Sequence, residues 1–107
     1  MSREITIVRV YIHEGDHGRR KSLMKEIMDL LHDRHRVKGL NVFRGIAGFD
    51  ETGEVYAADM LRLNVHLPLV IEFFDDPEAV EATMELLHGL VPDSHVVHWN
   101  AWCRATS

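Results

Sequence analysis

The order of hydrophobic patterns along the chain is the feature that most constrains its fold. Alternating or continuous apolar residues of β-branched and aromatic types predict strands, whereas apolar residues spaced by three and four predict helices. These patterns predict strands at about 5–12, 37–43, 69–74 and 96–103, a first helix at about 19–36 and a second helix between Asp76 and Gly89. The predicted order is therefore strand, helix, strand, strand, helix, strand.

The strongest single signal is the run "HLPLVIEFFDDPE", residues 66–78, which contains the most hydrophobic stretch of the chain. Pro68 stands where the strand begins, a position that tolerates its missing N–H. Asp76, Pro77 and Glu78 then supply an N-cap, a proline at the first helical position and an acid in the first turn. This run predicts a buried strand followed directly by a helix.

The order of the elements is that of the split βαβ plan, in which a four-stranded antiparallel sheet carries both helices on one face. We therefore expect an α+β fold, a ferredoxin-like βαββαβ sandwich. At 107 residues the chain is long enough for one hydrophobic core, and no linker or low-complexity run divides it. The sequence predicts a single domain over 1–107.

The two faces of the predicted sheet differ in composition. In the first strand Val8, Val10 and Ile12 are uniformly apolar and are expected to face the helices. The alternate positions mix apolar residues with one cation: Ile5, Ile7, Arg9 and Tyr11. Burial in a subunit interface suits such a face best, and scattered surface hydrophobes are the alternative.

Charge and cysteine content narrow the classes of function. A formal net charge of −5 argues against nucleic acid as a main partner, because phosphate-backbone affinity depends on clustered lysine and arginine. The short cluster Arg19-Arg20-Lys21 is interpreted as the solvated start of a helix, with a small phosphate ligand as the alternative. Cys103 is the only cysteine, and neither a signal peptide nor a membrane span is predicted, so we expect a cytoplasmic protein.

The string "HEGDH", residues 13–17, matches the H-E-x-x-H pattern of zinc metalloproteases. That pattern holds zinc only on a helix, where both histidines face the same way and the glutamate polarises a metal-bound water. Here a strand pattern leads into Gly15 and Gly18, which favour turns and are poor in a helix interior. We therefore interpret the string as a strand-to-helix loop.

The segment from Arg44 to Leu67 is far longer than the connection of two neighbouring strands requires. Long loops in compact domains are usually functional or disordered. Gly45, Gly48 and Gly53 would let backbone amides approach a ligand, and Arg44 could pair with a phosphate. Turn formation alone also explains the glycines, since the spacing matches neither a P-loop nor a Rossmann fingerprint.

Four stretches carry a family resemblance: "VYIHEGDHGRRKSLMKEIM", "FRGIAGFD", "MLRL" and "LPLVIEFFDDPE". Together they resemble the bacterial family called domain of unknown function 190, which is grouped with the PII-like signalling proteins. The most specific parts are "RGIxGF" at 44–49 and "LPxVIE" at 67–72. The resemblance spans nearly the whole chain and implies a PII-like trimer whose sheets face the threefold centre.

The resemblance also implies a role for the long segment. At about 44–67 it corresponds to the T-loop, the mobile arm by which PII-type proteins engage a partner protein. PII proteins bind nucleotides in clefts between subunits, near the T-loop root and the loop after the second helix. Carried over to this chain, the candidate effector-binding residues are Arg44, Gly45, Gly48, Phe49, Gly89 and Arg104.

The sequence departs from the PII pattern in three places. Asp50 follows Phe49 where relatives often continue with glycine, and its carboxylate would disfavour a phosphate packed directly against it. The stretch "HGLVPDSH", residues 88–95, lacks the glycine-rich, lysine-bearing phosphate loop of PII. Nothing around Tyr56 reproduces the uridylylation site of PII, so that modification is not expected.

The chain contains eight histidines, so we examined whether their spacing predicts a metal site. Three pairs are close in sequence: His13 and His17, His32 and His35, and His95 and His98. The last pair has opposite parity along a strand, and no pair comes with a cysteine or carboxylate in a convincing ligand set. We expect no metal site, since most histidines bind no metal although histidine is a common ligand.

No catalytic group emerges from the sequence. Cys103 lacks an identifiable activating base, and Ser22 lacks the pattern of a nucleophile elbow. Glu72 lies in the most apolar strand, where a partner such as Arg9 is expected to hold its charge. We therefore do not expect an enzyme.

The sequence and the resemblance favour a trimeric PII-like regulator that binds a small effector, with a nucleotide as the candidate, at the cleft between subunits. The arm would then act on a target protein, and because genes of this family often lie beside fluoride-channel genes, a membrane transporter is the suggested target. Two alternatives stay open: a divalent-cation-binding trimer resembling the CutA proteins, and a protein interaction module without a ligand.

Overall fold

The structure is a computed structural model that describes residues 1–18, 22–57 and 66–104. The basic cluster Arg19-Arg20-Lys21, the "MLRL" stretch of the arm and the side chain of Tyr56 lie outside the described part. The predictions made for them are therefore not tested by the fold.

In the described part of the chain, the main sheet has four strands: β1 (Ser2–His13), β2 (Gly39–Arg44), β5 (Pro68–Asp75) and β6 (Val96–Arg104). Their spatial order is β2-β5-β1-β6, and every neighbouring pair is antiparallel. A separate two-stranded hairpin, β3 (Ala47–Phe49) and β4 (Val55–Ala57), lies inside the long segment. The predicted antiparallel split βαβ sandwich is confirmed, whereas the hairpin was not predicted.

Among the residues that the structure describes, two helices connect the strands. α1 spans Leu23–Asp29 and continues as a π-helical turn over Leu30–Arg34, and α2 spans Pro77–Leu87. Ser22 caps α1, because its hydroxyl accepts a hydrogen bond from the Lys25 amide at 3.3 Å. No helix of the described residues is both long and apolar enough to cross a bilayer.

The start of α2 corrects one detail of the sequence prediction. Asp76 takes the N-cap position and Pro77 follows as predicted, but the Asp76 carboxylate makes no capping hydrogen bond. Instead it contacts the ammonium of Lys38 at 3.1 Å. The Asp76 carboxylate therefore pairs with Lys38, the residue before β2, instead of capping the helix, and this ion pair joins the start of α2 to the edge strand of the sheet.

The core lies between the helices and one face of the main sheet. Val8, Val10 and Ile12 are almost completely buried there, as their alternation predicted. They pack in one cluster with the buried side chains of the other elements: Leu23, Ile27, Leu30, Leu31, Val37, Leu69, Ile71, Phe73, Val80, Leu87 and Val91. Burial of this apolar surface is the main term that stabilises the fold.

Within the described residues, no helix covers the other face of the sheet. Four of its large apolar side chains are 40% to 50% exposed, namely Tyr11, Phe43, Val97 and Trp99, whereas Ile5 on the same face is only 7% exposed. In their midst Arg9 donates to Glu72 at 2.8 Å, and the Arg9 guanidinium lies 5.6 Å from the centre of the Trp99 ring. The predicted pairing of Glu72 with Arg9 is therefore confirmed. We call this surface the open sheet face.

Candidate functional site: the root of the arm

Three parts of the chain meet at one end of the main sheet. Leu69, near the start of β5, pairs with Ile12 near the end of β1 and with Arg44 at the end of β2. The loop after β1 and both ends of the Arg44–Leu67 segment therefore lie at the same sheet end. We call the segment from Arg44 to Leu67 the arm, and Glu14, Arg44, Gly45, Leu67 and Pro68 the arm root.

Glu14 connects both ends of the arm to β1. Its Oε1 atom accepts a hydrogen bond from Arg44 Nη2 at 3.0 Å and another from the Leu67 amide at 3.0 Å. The Glu14 amide in turn donates to the Leu67 carbonyl at 3.0 Å. One side chain thus contacts the first residue of the arm and the last.

These contacts lower the pKa of Glu14 below its ordinary value. The largest cause is the hydrogen bond from Arg44; partial burial acts in the opposite direction, and the hydrogen bond from the Leu67 amide adds to the lowering. His66 lies close to the backbone of Gly15, where a Cβ atom would come within 2.8 Å of its Nδ1 atom. Glu14 is therefore held as a carboxylate at neutral pH.

The two hydrogen bonds of Glu14 differ in what their loss would cost. The side chain of Arg44 is 61% exposed and that of Glu14 29%, and a partly exposed ion pair contributes about 0.2–1 kcal/mol. Leu67 is only 4% exposed, and a buried amide left without an acceptor costs about 1–3 kcal/mol. The ion pair is therefore easily broken, but the contact to Leu67 is not.

The first glycines of the arm lie against Pro68. The Gly45 amide donates to the Pro68 carbonyl at 2.8 Å, and a Cβ atom on Gly45 would lie 2.8 Å from Pro68 Cγ. At Gly48 the corresponding distance is 3.4 Å, which is ordinary contact. Gly45 is therefore required by close approach at the arm root, whereas Gly48 has room for a methyl group.

The β3–β4 hairpin extends the arm beyond its root. Asp50 Oδ1 accepts a hydrogen bond from the Thr52 amide at 2.9 Å, and the Asp50 carbonyl accepts one from Gly53 at 2.9 Å. Gly53 has a φ of +79°, which glycine adopts without strain. The hydrogen bonds from Thr52 lower the pKa of Asp50, so the unusual carboxylate after Phe49 has a local role in forming the turn.

The arm carries large apolar side chains in contact with solvent. Ile46, Phe49 and Val55 are 81%, 76% and 66% exposed. In a single chain they form no part of the core, so the hairpin presents an apolar surface beside a charged root. Such exposed apolar residues are typical of contact with another molecule when they are grouped.

The structure gathers only some of the predicted effector-binding residues. Arg44 and Gly45 lie in the arm root, Gly48 lies beside Pro68, and Phe49 is exposed on the hairpin. Gly89, with a φ of +98°, follows α2, and β6 then begins at the end of the sheet that carries the arm root. Arg104 pairs with Ser2 at the far end of β1, so within one chain it is remote from the others.

The zinc-protease string is not on a helix. β1 ends at His13 and α1 does not begin until Leu23, which confirms the interpretation of residues 13–17 as a loop. Asp16 Oδ2 accepts from the His13 amide at 2.9 Å, and the Asp16 amide donates to the His13 carbonyl at 3.1 Å. Among the residues that the structure describes, no three histidine, cysteine or carboxylate side chains converge on a point that could hold a metal ion.

Sequence reasoning missed the role of Glu14. The H-E-x-x-H string directed attention to its histidines, although the useful signal was an acid just after β1 and an arginine at the end of β2. In the split βαβ order β1 and β2 lie on either side of β5 and run in the same direction, so the charges that follow them lie at the same end of the sheet. That placement predicts an ion pair between Glu14 and Arg44.

Comparisons with known proteins agree with this fold. The sequence matches the profile of the DUF190 family, domain of unknown function 190, described as "Uncharacterized ACR", over residues 5–102. A UPF0166 protein of Methanocaldococcus jannaschii is 31% identical over 91 residues, which are 85% of this chain and 82% of the relative. A UPF0166 protein of Aquifex aeolicus is 28% identical over 83 residues, 78% of each chain.

Solved structures of CPII, a nitrogen regulatory PII-like protein from Thiomonas intermedia K12, share the fold. The structure bound to ADP and bicarbonate has a TM-score of 0.68 and the one bound to ADP, AMP and bicarbonate a TM-score of 0.70. Each is 18% identical to this chain, with 96% of this chain and 91% of CPII covered. The fold is therefore PII-like, and since the family profile covers nearly every residue, the chain belongs to the DUF190 family.

Proposed function

We propose that the protein is a PII-like regulatory protein that binds a small anionic effector at the arm root and acts on a partner protein through the arm. The observation that carries the proposal is the double contact of Glu14, which joins both ends of the arm at one charged point. An effector that changes this point changes the anchoring of the whole arm. The proposed role is binding and signalling, without catalysis.

The chemistry of the effector follows from Arg44. A guanidinium group binds phosphate and carboxylate oxygens well, because its N–H groups match their geometry. The PII-like structures that share this fold hold ADP, AMP and bicarbonate, all of them anions. We therefore propose an adenine nucleotide as the first candidate, with bicarbonate as the second anion to test.

The proposed assembly is a homotrimer with the effector in the cleft between subunits. The open sheet face supports it, since Tyr11, Val97 and Trp99 leave apolar surface in water when the chain is alone. Assembly would also account for Arg104, which could reach an arm root only from another subunit. A single cysteine suits the cytoplasm, where we place the protein.

The proposed mechanism is a shift between two states of the arm. In one state Glu14 holds Arg44 and Leu67, and in the other the effector contacts Arg44 and the arm is free to rearrange. A ligand shifts such an equilibrium only by its difference in affinity for the two states. The exposed side chains of Phe49 and Ile46 in the arm would then bind the target protein more tightly in one state than in the other.

Titration calorimetry tests the effector claim. Wild-type protein is titrated with ADP, AMP, ATP and bicarbonate, and Arg44→Ala is compared with Arg36→Ala, which removes the same charge from the loop after the first helix. We expect ADP or another of these anions to bind wild type and Arg36→Ala equally, and Arg44→Ala at least about tenfold more weakly. Equal affinity in all three proteins would remove Arg44 from the site.

A second candidate function is a protein interaction module without an effector. The exposed apolar residues of the hairpin favour it, because they suit a protein partner whether or not a small molecule binds. The same titrations separate the two candidates. If none of the four anions binds, the interaction module is favoured. Titration with zinc and copper, added to the same series, tests the cation-binding alternative.

A further inference from the structure

Glu14 occupies the position at Arg44 that an anionic effector needs. Its Oε1 atom lies 3.0 Å from Arg44 Nη2. We propose that Glu14 is a built-in competitor of the effector: the effector's anionic group replaces the Glu14 carboxylate at Arg44, and the released Glu14 gives up Leu67 at the other end of the arm. This inference rests on the proposed function and names the residue that regulates it.

The first step of the argument is electrostatic. A carboxylate and a phosphate are alternative partners of the same guanidinium group. An anion that approached Arg44 while Glu14 remained in place would lie beside a like charge, which is unfavourable. The Arg44 side chain is mostly exposed and the ion pair is weak, so exchange at Arg44 itself costs little; the larger cost is the loss of the Leu67 contact, which binding of the effector must offset.

The second step links this exchange to the arm. The oxygen that accepts from Arg44 is the same Oε1 atom that accepts from the Leu67 amide. Leu67 is buried, so its amide cannot turn to water when Glu14 leaves. The chain at Leu67 must therefore move to find another acceptor, and an event at the first residue of the arm changes its last residue.

The third step concerns the charge of Glu14. Arg44, Leu67 and His66 all favour its ionised form, so the competitor is an anion throughout the neutral range. Glutamine at position 14 would keep a carbonyl oxygen for both hydrogen bonds and remove the charge. Alanine would remove both. Glutamine therefore tests whether the Glu14 charge competes with the effector for Arg44, and alanine tests whether the Glu14 side chain holds Leu67 in place.

The experiment uses Glu14→Gln, Glu14→Ala and the control Glu81→Gln, which removes one exposed charge from α2 without touching the arm root. Two quantities are measured: hydrogen exchange at the Leu67 amide without ligand, and affinity for ADP, inorganic phosphate and bicarbonate by calorimetry. The titrations with phosphate and with bicarbonate show whether the competing anion is a phosphoryl group or a carboxylate-like anion. Thermal melts verify that each variant is folded.

We expect Glu14→Gln to bind ADP or one of the two simple anions about twofold to fivefold more tightly than Glu81→Gln does, with Leu67 exchange unchanged. We expect Glu14→Ala to raise the exchange rate at Leu67 at least about tenfold. Wild-type affinity in Glu14→Gln, or wild-type exchange in Glu14→Ala, would overturn the inference.

The same data separate this inference from the proposed function. If wild type binds an anion and Glu14→Gln binds it with equal affinity, only the competitor role fails. If no protein, including Glu14→Gln, binds any of the three anions, the effector function fails and the competitor role fails with it. If Glu14→Gln binds an anion that wild type does not, both are supported.

Discussion

Arg9 and Glu72 form an ion pair at 2.8 Å on the open sheet face, among apolar side chains that are 40% to 50% exposed. In solution such a face exposes aromatic and apolar surface around an arginine, and aromatic residues and arginine are enriched in subunit interfaces. The pair is already satisfied within one chain, so a partner subunit could cover it without leaving an unpaired charge. This arrangement is compatible with the proposed homotrimer.

We predict that Val97→Asp prevents trimer formation. Val97 lies opposite Arg9 on β6, within the open sheet face, and an aspartate there would compete with Glu72 for Arg9 and add an uncompensated charge to a buried interface. Sedimentation equilibrium should give about three times the chain mass of 12.3 kDa for wild type and a smaller assembly for the variant. Val55→Asp, on the exposed arm, is the control and should keep the wild-type mass. A monomeric wild type would contradict the proposed assembly.

We predict different effects of alanine at two glycines of the arm. Gly45→Ala places a methyl group 2.8 Å from Pro68 Cγ and should lower the free energy of unfolding by about 1–3 kcal/mol. Gly48→Ala places it at 3.4 Å and should change the free energy by less than about 0.5 kcal/mol. Urea unfolding measures both. Equal effects would show that the contact with Pro68 does not restrict position 45.

We predict that Arg44→Ala raises the pKa of Glu14 toward its ordinary value, since Arg44 is the largest cause of its depression. Because the folded-state pKa is below the unfolded one, the contribution of Glu14 to stability is present above its unfolded pKa and is lost as pH falls through its folded pKa. That acid loss should be smaller in Arg44→Ala. Carbon-13 titration of the Glu14 carboxyl group reports the pKa directly, and an unchanged value would refute the pairing.

We predict that Asp50→Ala loosens the hairpin turn without unfolding the domain. The Asp50 carboxylate accepts hydrogen bonds from the Thr52 hydroxyl and from the Thr52 amide, and these contacts, the hydroxyl first, lower the pKa of Asp50. Hydrogen exchange at Thr52 should be faster in the variant, while exchange in β1 stays the same. Glu51→Ala removes a neighbouring exposed charge and is the matched control. Faster exchange in both variants would indicate a charge effect instead of the turn.

The fold could be predicted from the sequence to a large extent. Period-two and helical patterns located all four strands of the main sheet and both helices, and the alternation of Val8, Val10 and Ile12 identified the buried face. Both faces of β1 contain apolar residues, yet the position of Arg9 marked the uncovered one. The type of each element and the face that it buries both follow from the spacing of apolar residues, so the sequence alone predicts them.

The site was less predictable because its contacts join residues far apart in sequence. The sequence identified Arg44 as a candidate for phosphate binding. Its hydrogen-bond partner in the folded chain is Glu14, which the sequence analysis considered only as part of a possible zinc-binding motif. Asp76 has the sequence of a helix cap, yet its carboxylate contacts Lys38 across the sheet edge. Side-chain partners of this kind follow from tertiary structure, which local propensity does not encode.

The central claim is that an anion at the arm root changes the arm. Hydrogen exchange of wild type with and without saturating ADP tests it most directly, with Arg44→Ala as the control. We predict an ADP-dependent change at Gly45 and Leu67 that extends into the β3–β4 hairpin and is absent from Arg44→Ala. Bound ADP that leaves exchange at Gly45 and Leu67 unchanged would contradict the account.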